Sequence, residues 1–452
     1  MPHSGFREVP GQGLSRGGHL APPMDEHVRA IQDAVDAHHR YFSESLPLIA
    51  SENLISPLAR ELLLSDFQDR YAEGLPGERY YQGNQWVDQV EVRVTDLAKR
   101  LFACRHADVR PISGTNANLA VLFALTKPGD TISSVALSDG AHISTAKFGS
   151  VGVRGVENAT LPWDPKAMNI DVDAARKHIR AVRPKVVLLG QSVYLFPSPV
   201  KELAEAAAEV GAPVWYDAAH VLGLIAGGQF QDPFREGAAV MTGSTHKTLP
   251  GPQHGILLSD SDDAKFVRRL QKAVFPGLVS NHHLHAMAAL GVTLAEHLEF
   301  GRAYAAQVVK NARALAQALH DGGLNVLGAD LGFTRSHTIA IDVSAHGGGA
   351  KVAEDLERAH IVANKNLLPA DTSAQHPSGI RLGSQELTRI GMKEGEMAEV
   401  AALIARVARG EDPSGVAGDV RTLRARFPSI HYCYLDGAPA HARFFLARSR
   451  AL

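Results

Sequence analysis

Lys247 lies in the stretch Gly243-Ser-Thr-His-Lys-Thr-Leu-Pro-Gly-Pro-Gln-His-Gly255, with no charged neighbour except His246 when protonated. The hydroxyls before it, Thr245 among them, can donate to a phosphate, and the prolines and glycines after it fix a tight backbone. An amine so placed suits a Schiff base with a carbonyl cofactor, for which a lowered pKa helps. Taken alone, the stretch fits an ordinary loop lysine better. Other residues change the balance. Ser113-Gly114-Thr115-Asn116 stands between a short apolar run and an apolar helix. A turn of that kind cradles a phosphate, because free backbone N–H groups and the helix dipole both favour an anion. Ser113, His142, Ser192, Asp217, His220 and Lys247 all fall at or just past the ends of expected strands. In a parallel sheet flanked by helices, ligands sit at those ends.

The elements that would position these residues alternate from Val109 to about Gly255. The pattern predicts strands at Thr131–Leu137, Lys185–Gly190, Ala212–Tyr216 and Ala239–Thr242, and helices at Ala117–Leu125 and Val200–Val210. Alternation of this kind predicts an α/β fold with a mostly parallel sheet. Ahead of it, Met24–Ser43 reads as a helix. Ser56-Pro57 reads as the cap and first residue of another, running through Asp69, and Val87–Phe102 as a third. Arg70–Gly83, broken by four Gly or Pro residues and carrying three tyrosines, reads as a loop that holds specific polar groups. A long helix, Leu284–Leu319, leads to an α+β C-terminal region, with strands at Leu324–Val326, His337–Val343 and Ile380–Leu382. The expected division is an arm over 1–23, a large domain over 24–300 and a smaller one over 301–452.

The chain has 452 residues, 45% hydrophobic and 21% charged, with a net charge of −2. No basic field points to nucleic acid and no polybasic segment to a membrane. Cys104 and Cys433, the only two cysteines, lie far apart, which fits a reducing cytoplasm better than a disulfide framework. No zinc-ligand spacing accompanies them. The cluster His282-His283-Leu284-His285 reads as a helix start rather than a metal site. No Gly-rich dinucleotide fingerprint or P-loop follows any strand.

Several motifs, taken as a set, resemble one family. They are Ile49-Ala-Ser-Glu-Asn53, Arg70-Tyr-Ala-Glu-Gly74, Arg79-Tyr-Tyr-Gln-Gly83, Thr245-His-Lys-Thr248 and Ser378-Gly-Ile-Arg381. The family is serine (glycine) hydroxymethyltransferase, and Val274–His283, Gly332–His337 and Gly379–Gln385 look most like its archaeal-type branch. The resemblance covers about Asp25 to Tyr434. It implies a fold-type I, aminotransferase-like architecture, with a seven-stranded, mostly parallel sheet and a smaller C-terminal domain. It also implies pyridoxal 5'-phosphate as cofactor. Lys247 would hold it, Asp217 would pair with its ring nitrogen and His142 would stack on its face. His220 would bond the ring hydroxyl or neighbouring groups, and Ser113, Gly114 and Thr115 the phosphate, with Ser192, Thr245 and His246 close by. Arg381 and Ser51 would take the substrate carboxylate. Glu73 would be the acid/base group, with Tyr71 and Tyr81 completing the pocket; all three would reach across from a second subunit. A homodimer is therefore implied, with a tetramer open. The activity implied is retro-aldol cleavage of serine to glycine, with the one-carbon unit passed to a reduced pterin such as tetrahydrofolate.

Leu137, Ile143 and Asn366 occupy positions that resemble the family's folate pocket. Four departures are visible. The turn after the lysine is Gly251-Pro-Gln-His-Gly255, not Gly-Pro-Arg-Gly-Gly. Gly277-Leu-Val-Ser-Asn281 replaces a Gly-Gln-Gly-Gly-Pro loop. Ile390 stands where the family has a second arginine, next to Arg389, and Thr145 where it has a histidine. Pro250–Gln253 resembles relatives that cleave threonine and pass the glycyl carbanion to another aldehyde. A threonine aldolase or transaldolase, or an α-methylserine enzyme, therefore stands beside the first reading. A silent scaffold protein would have lost Lys247, Asp217 or Arg381, and all three are present.

Overall fold

Short apolar runs assemble into a seven-stranded sheet in the computed structural model, which describes residues 25–369, 371 and 376–441. The chain divides into two compact units, 1–41 and 42–452. The first holds most of helix α1 (Glu26–Ser43), whose Val28, Ile31 and Val35 are exposed. The arm expected over 1–23, and Met24, lie outside the described residues.

In the second unit Ser56 caps α2 (Pro57–Leu62), its hydroxyl accepting from the Ala59 N–H at 3.3 Å. The helix expected to reach Asp69 stops at Leu62. Ser65 donates its hydroxyl to the Leu62 carbonyl over 2.7 Å, and Leu64 is 61% exposed, so neither backbone bonding nor burial carries it further. A separate 3₁₀ turn covers Asp66–Asp69, and α3 (Gln85–Leu101) follows.

The large sheet contains β1 (His106–Asp108), β2 (Thr131–Ser134), β3 (Glu157–Thr160), β4 (Val187–Leu189), β5 (Val214–Asp217), β6 (Val240–Ser244) and β7 (Gly255–Ser259). Their order in space is β1-β7-β6-β5-β4-β2-β3. Strands β3, β2, β4, β5 and β6 are parallel, and β7 runs against both β6 and β1. This is the expected α/β architecture. Strands β4, β6 and β7 are buried along their whole length, as strands covered on both faces must be. Helices α4 (Gly114–Leu125), α5 (Val172–Val182) and α6 (Val200–Glu209) connect them.

Three details differ from expectation. The strand at Thr131 ends at Ser134, and Leu137–Asp139 turns into a 3₁₀ segment. Strands β1, β3 and β7 had not been anticipated. Nor had α5, although Asp171 caps it by accepting from the Ala174 N–H at 3.0 Å.

Helix α7 (Leu284–Asp321) is 38 residues long. Its buried side chains up to Val309 pack in the core of the large sheet, and those from Ala312 onward in a second core. That second core lies on an antiparallel sheet of β8 (Asn325–Val326), β9 (Thr338–Asp342), β10 (Asn364–Asn366) and β11 (Gly379–Gly383), in the order β8-β9-β11-β10. Among the described residues, no helix is long and apolar enough to cross a membrane.

Candidate active site

The carboxyl ends of the parallel strands deliver one residue after another to a single cleft. Strand β5 ends on Asp217, β6 on Ser244 just ahead of Lys247, and the segment after β4 supplies Gln191 and Ser192. His142 follows β2, and α4 opens with Gly114 and Thr115. Together with Asn118 and His220 these residues line about 350 Å³ of empty space. Seven expected residues therefore meet: Gly114, Thr115, His142, Ser192, Asp217, His220 and Lys247.

At the mouth of α4, Ser113 is the N-cap, its hydroxyl accepting from the Asn116 N–H at 3.1 Å. The first N–H groups of a helix have no partner within it, so Gly114 and Thr115 offer theirs to the cleft. The turn is tight. A Cβ on Gly114 would lie 2.2 Å from the Ser244 hydroxyl, and one on Gly255 would lie 2.2 Å from the Ser113 carbonyl oxygen. Ser244 takes the place expected of Thr245. The Thr245 hydroxyl is fully buried and donates to the Pro252 carbonyl over 2.7 Å, where it closes the turn after the lysine instead of facing an anion. His246 does not line the cleft, and burial takes its pKa down to about 4.

Lys247 is 7% exposed. Burial lowers its amine to about 8, Asp217 opposing and Arg381 adding to the shift. A fully buried Nδ1 on His220 has no hydrogen-bond partner among the described residues. Burial, then Lys247, hold that ring well below the usual range. His337 stacks on it, with ring centroids 5.7 Å apart. Burial also lowers His142, whose Nδ1 lies 2.8 Å from the Ser144 hydroxyl. Arg381, in the middle of β11, reaches across from the second sheet. Its guanidinium donates to the Ser192 carbonyl at 2.9 Å and to Asn364 at 3.2 Å.

Ser51 does not line the cleft, but its segment is firmly held. Gln385 donates to the Ile49 and Glu52 carbonyls at 2.7 and 2.8 Å. Asn53 donates to the Lys247 carbonyl at 2.6 Å and to the Tyr304 hydroxyl at 2.8 Å. Tyr71, Glu73 and Tyr81 are also absent from the cleft of the single chain. The two tyrosine rings sit 4.9 Å apart, 45% and 46% exposed, beside Ser280 and Asn281. Leu137 and Asn366 lie outside it too, and Asn366 donates to the Leu367 carbonyl at 2.6 Å. Ile143 is 56% exposed.

The departures from the family pattern have structural uses. His254 is fully buried and its Nε2–H donates to the Val109 carbonyl at 2.7 Å, tying the turn to the residue that follows β1. Ile390 packs in the second core. Arg389 bonds the Leu54 and Tyr432 carbonyls at 3.3 and 2.8 Å and does not enter the cleft. Thr145 donates to the His142 carbonyl at 2.9 Å.

Asn53, Asn118, Gln191 and His337 were not expected. Asn53 and His337 close the motifs Ile49–Asn53 and Gly332–His337, and Asn118 is an amide set in an otherwise apolar helix, whereas Gln191 carried no local signal of its own.

Comparison with known proteins agrees with this geometry. Residues 24–404 match the family model "Serine hydroxymethyltransferase". The serine hydroxymethyltransferase of Picrophilus torridus is 58% identical over 412 residues, covering 90% of this chain and 95% of its own. That of Thermoplasma acidophilum is 54% identical over 417 residues, covering 91% and 98%. Among solved structures, L-threonine transaldolase from Pseudomonas fluorescens superposes with a TM-score of 0.83 at 31% identity, covering 90% of this chain and 94% of that one. A buried lysine at the end of β6, the carboxylate of Asp217 and these matches lead to one conclusion: the chain belongs to the serine hydroxymethyltransferase family, whose enzymes use pyridoxal 5'-phosphate.

Proposed function

We propose that the chain interconverts serine and glycine, passing the one-carbon unit to a reduced folate such as tetrahydrofolate. One observation carries the reading: Lys247 and Asp217 line one cleft, and Arg381 comes to its edge from the other sheet, donating to the carbonyl of the cleft residue Ser192. The cleft fits pyridoxal 5'-phosphate. It holds a buried amine beside a carboxylate, a helix entry free of side-chain bulk, and an unpartnered imidazole nitrogen on His220.

When bound, that cofactor supplies a sink for the electron pair left as the Cα–Cβ bond of serine breaks. Lys247 would hold its carbonyl carbon, and an amine titrating at about 8 has a far larger neutral, nucleophilic fraction near neutral pH than a lysine at its ordinary 10.5. Asp217 keeps a proton on the ring nitrogen. The helix entry at Gly114 and Thr115, with Ser244, takes the phosphate. Arg381 takes the substrate carboxylate through a charge-assisted pair and so sets the rotation about Cα. Ser51, on the clamped segment, contacts the same carboxylate.

Glu73 moves the proton at the hydroxymethyl oxygen, with Tyr71 and Tyr81 beside it. All three are supplied by a partner copy, since the single chain leaves them outside its own cleft. The working unit is therefore a homodimer. Leu137 and Asn366 contact the pterin. The change from large to small domain falls within α7, where the buried side chains pass between cores. Two free cysteines, Cys104 and Cys433, support a cytoplasmic setting.

Purified protein given L-serine and tetrahydrofolate should form glycine in a folate-dependent way. No glycine with both present overturns the reading. A second reading has its own support in the transaldolase structure and in the Pro250–Gln253 turn. Folate-independent product from L-threonine and an added aldehyde, faster than serine turnover, would establish it.

A further inference from the structure

We propose that Trp215, Thr242 and Asn118 form a hydrogen-bond relay that sets the Asp217 carboxylate against the ring nitrogen of the cofactor. The proposal rests on the reading of Asp217 given above. Three elements build the relay. Trp215 precedes Asp217 by two on β5, Thr242 stands opposite Asp217 on the neighbouring strand β6, and Asn118 comes from the second turn of α4. All three are buried, at 1%, 0% and 5% exposure.

The direction of every bond is determined. An indole N–H only donates. Trp215 Nε1 therefore gives its proton to Thr242 Oγ1 at 2.8 Å. Thr242 has one hydroxyl proton, which goes to Asn118 Oδ1 at 2.6 Å. With its oxygen occupied, Asn118 must turn its NH₂ toward Asp217 and donate to Oδ2 at 2.7 Å. The reversed amide would press its oxygen against a carboxylate oxygen and leave the Thr242 proton without an acceptor. The other carboxylate oxygen, Oδ1, accepts from the Ala219 N–H at 3.0 Å. Each oxygen is thus held by its own N–H donor, and the two bonds together fix the plane of the carboxylate. A buried polar group left without its partner costs more than the bond itself, so the relay acts as a unit. Thr242 and Trp215 do not line the cleft. They are positioning residues that act through Asn118.

The test compares two ligands on the apo-protein: pyridoxal 5'-phosphate, and its analogue with the ring nitrogen replaced by carbon. The ratio of their dissociation constants reads the Asp217–nitrogen pairing alone, since every other contact is shared. Thr242→Val and Asn118→Leu should each shrink the wild-type ratio by about tenfold, the loss of one hydrogen bond to a charged group. Thr242→Ser, which restores the hydroxyl, should return it. A general loss of fold would weaken both ligands together and leave the ratio unchanged. Wild-type ratios in both Thr242→Val and Asn118→Leu, alongside an Asp217→Ala that abolishes the preference, would overturn the relay and leave the Asp217 reading intact. A preference that survives Asp217→Ala would overturn both.

Discussion

Asn53 and Lys247 are joined across 194 residues of sequence, the Asn53 carboxamide donating to the Lys247 carbonyl at 2.6 Å. The same NH₂ group reaches the Tyr304 hydroxyl, which in turn donates to the Gln385 carbonyl at 2.9 Å. The substrate-side segment Ile49–Asn53, the lysine turn and the exit of β11 therefore share one knot. Asn53→Ala should cost about 1–2 kcal/mol of stability, two modest hydrogen bonds. It should also raise KM for serine several-fold, because Ser51 loses its fixed approach. Thermal melts and steady-state kinetics on one preparation check both, and an unchanged KM would free Ser51 from dependence on the knot.

The Lys247 amine gives a pH dependence of known sign. Its ordinary value is 10.5 and burial takes it to about 8. The unfolded chain thus binds more protons than the folded apo-protein between those values, so apo stability should rise as pH goes from about 8 toward 10.5. Below about 8 the cost of burying a charged amine is felt in full. The span is about 3 kcal/mol at most. Lys247→Met should flatten this rise, as read by denaturant unfolding at pH 7.5, 9 and 10.5. Wild-type stability that falls across this window would contradict the burial argument. In the same window the rate of cofactor attachment should climb with the neutral fraction of the amine.

Much of this site was legible because strand ends are legible. Asp217 and Lys247 each follow a short apolar run that can only be a buried strand. What the pattern could not settle was which neighbour faces the cleft. Ser244 and Thr245 are adjacent hydroxyls, and the choice between them rests on the Pro252 carbonyl accepting from Thr245. Asn118 stood out as an amide in an apolar helix, but its partner Asp217 lies 99 residues away. Local periodicity carries nothing about such a pairing. Strand β7 escaped because it starts directly at the glycine that ends the lysine turn, with no separate boundary. Tyr71, Glu73 and Tyr81 stood out by composition, while their absence from the cleft is a matter of tertiary placement.

Arg79 holds the Tyr71–Gly83 loop onto α3. Its guanidinium bonds the Ala72 and Gly74 carbonyls, each at 2.7 Å, and pairs with Asp88 at 2.7 Å and Glu91 at 2.6 Å. Glu91 also faces His282 at 3.3 Å. Burial pushes the Glu91 carboxyl up, and His282 and Arg79 together bring it below its ordinary value. Arg79→Ala leaves the buried Glu91 carboxylate with His282 as its remaining charged partner and should cost about 3 kcal/mol, the low end for breaking a buried pair. A lowered carboxyl contributes stability above its unfolded value and loses it as pH falls. The acid-unfolding midpoint should therefore move upward in the variant. A loss below 1 kcal/mol, the range of an exposed pair, would show that Glu91 finds another partner.

Gly255 opens β7 directly beneath the turn that starts α4. A Cβ there would sit 2.2 Å from the Ser113 carbonyl oxygen and 2.5 Å from its carbonyl carbon. Both are backbone atoms, so no side chain can swing aside, and the Gly255 N–H is itself committed to the Pro111 carbonyl at 3.0 Å. Relief must come from moving either β7 or the Ser113–Gly114 turn. Strand β7 is the stiffer of the two, paired with β6 along its whole length and with β1 over Leu257–Ser259. Gly255→Ala should therefore displace the turn, at a cost of about 1–3 kcal/mol from overpacking. It should weaken binding of pyridoxal 5'-phosphate much more than of pyridoxal, because only the phosphate uses the helix entry. Gly114→Ala meets a movable side-chain hydroxyl on Ser244 at 2.2 Å, so pairing it with Ser244→Ala should recover part of its loss. No such rescue exists for Gly255→Ala. Titration of the two ligands against both variants separates the cases, and equal losses for phosphate and non-phosphate forms would remove the Ser113–Thr115 turn from the phosphate site.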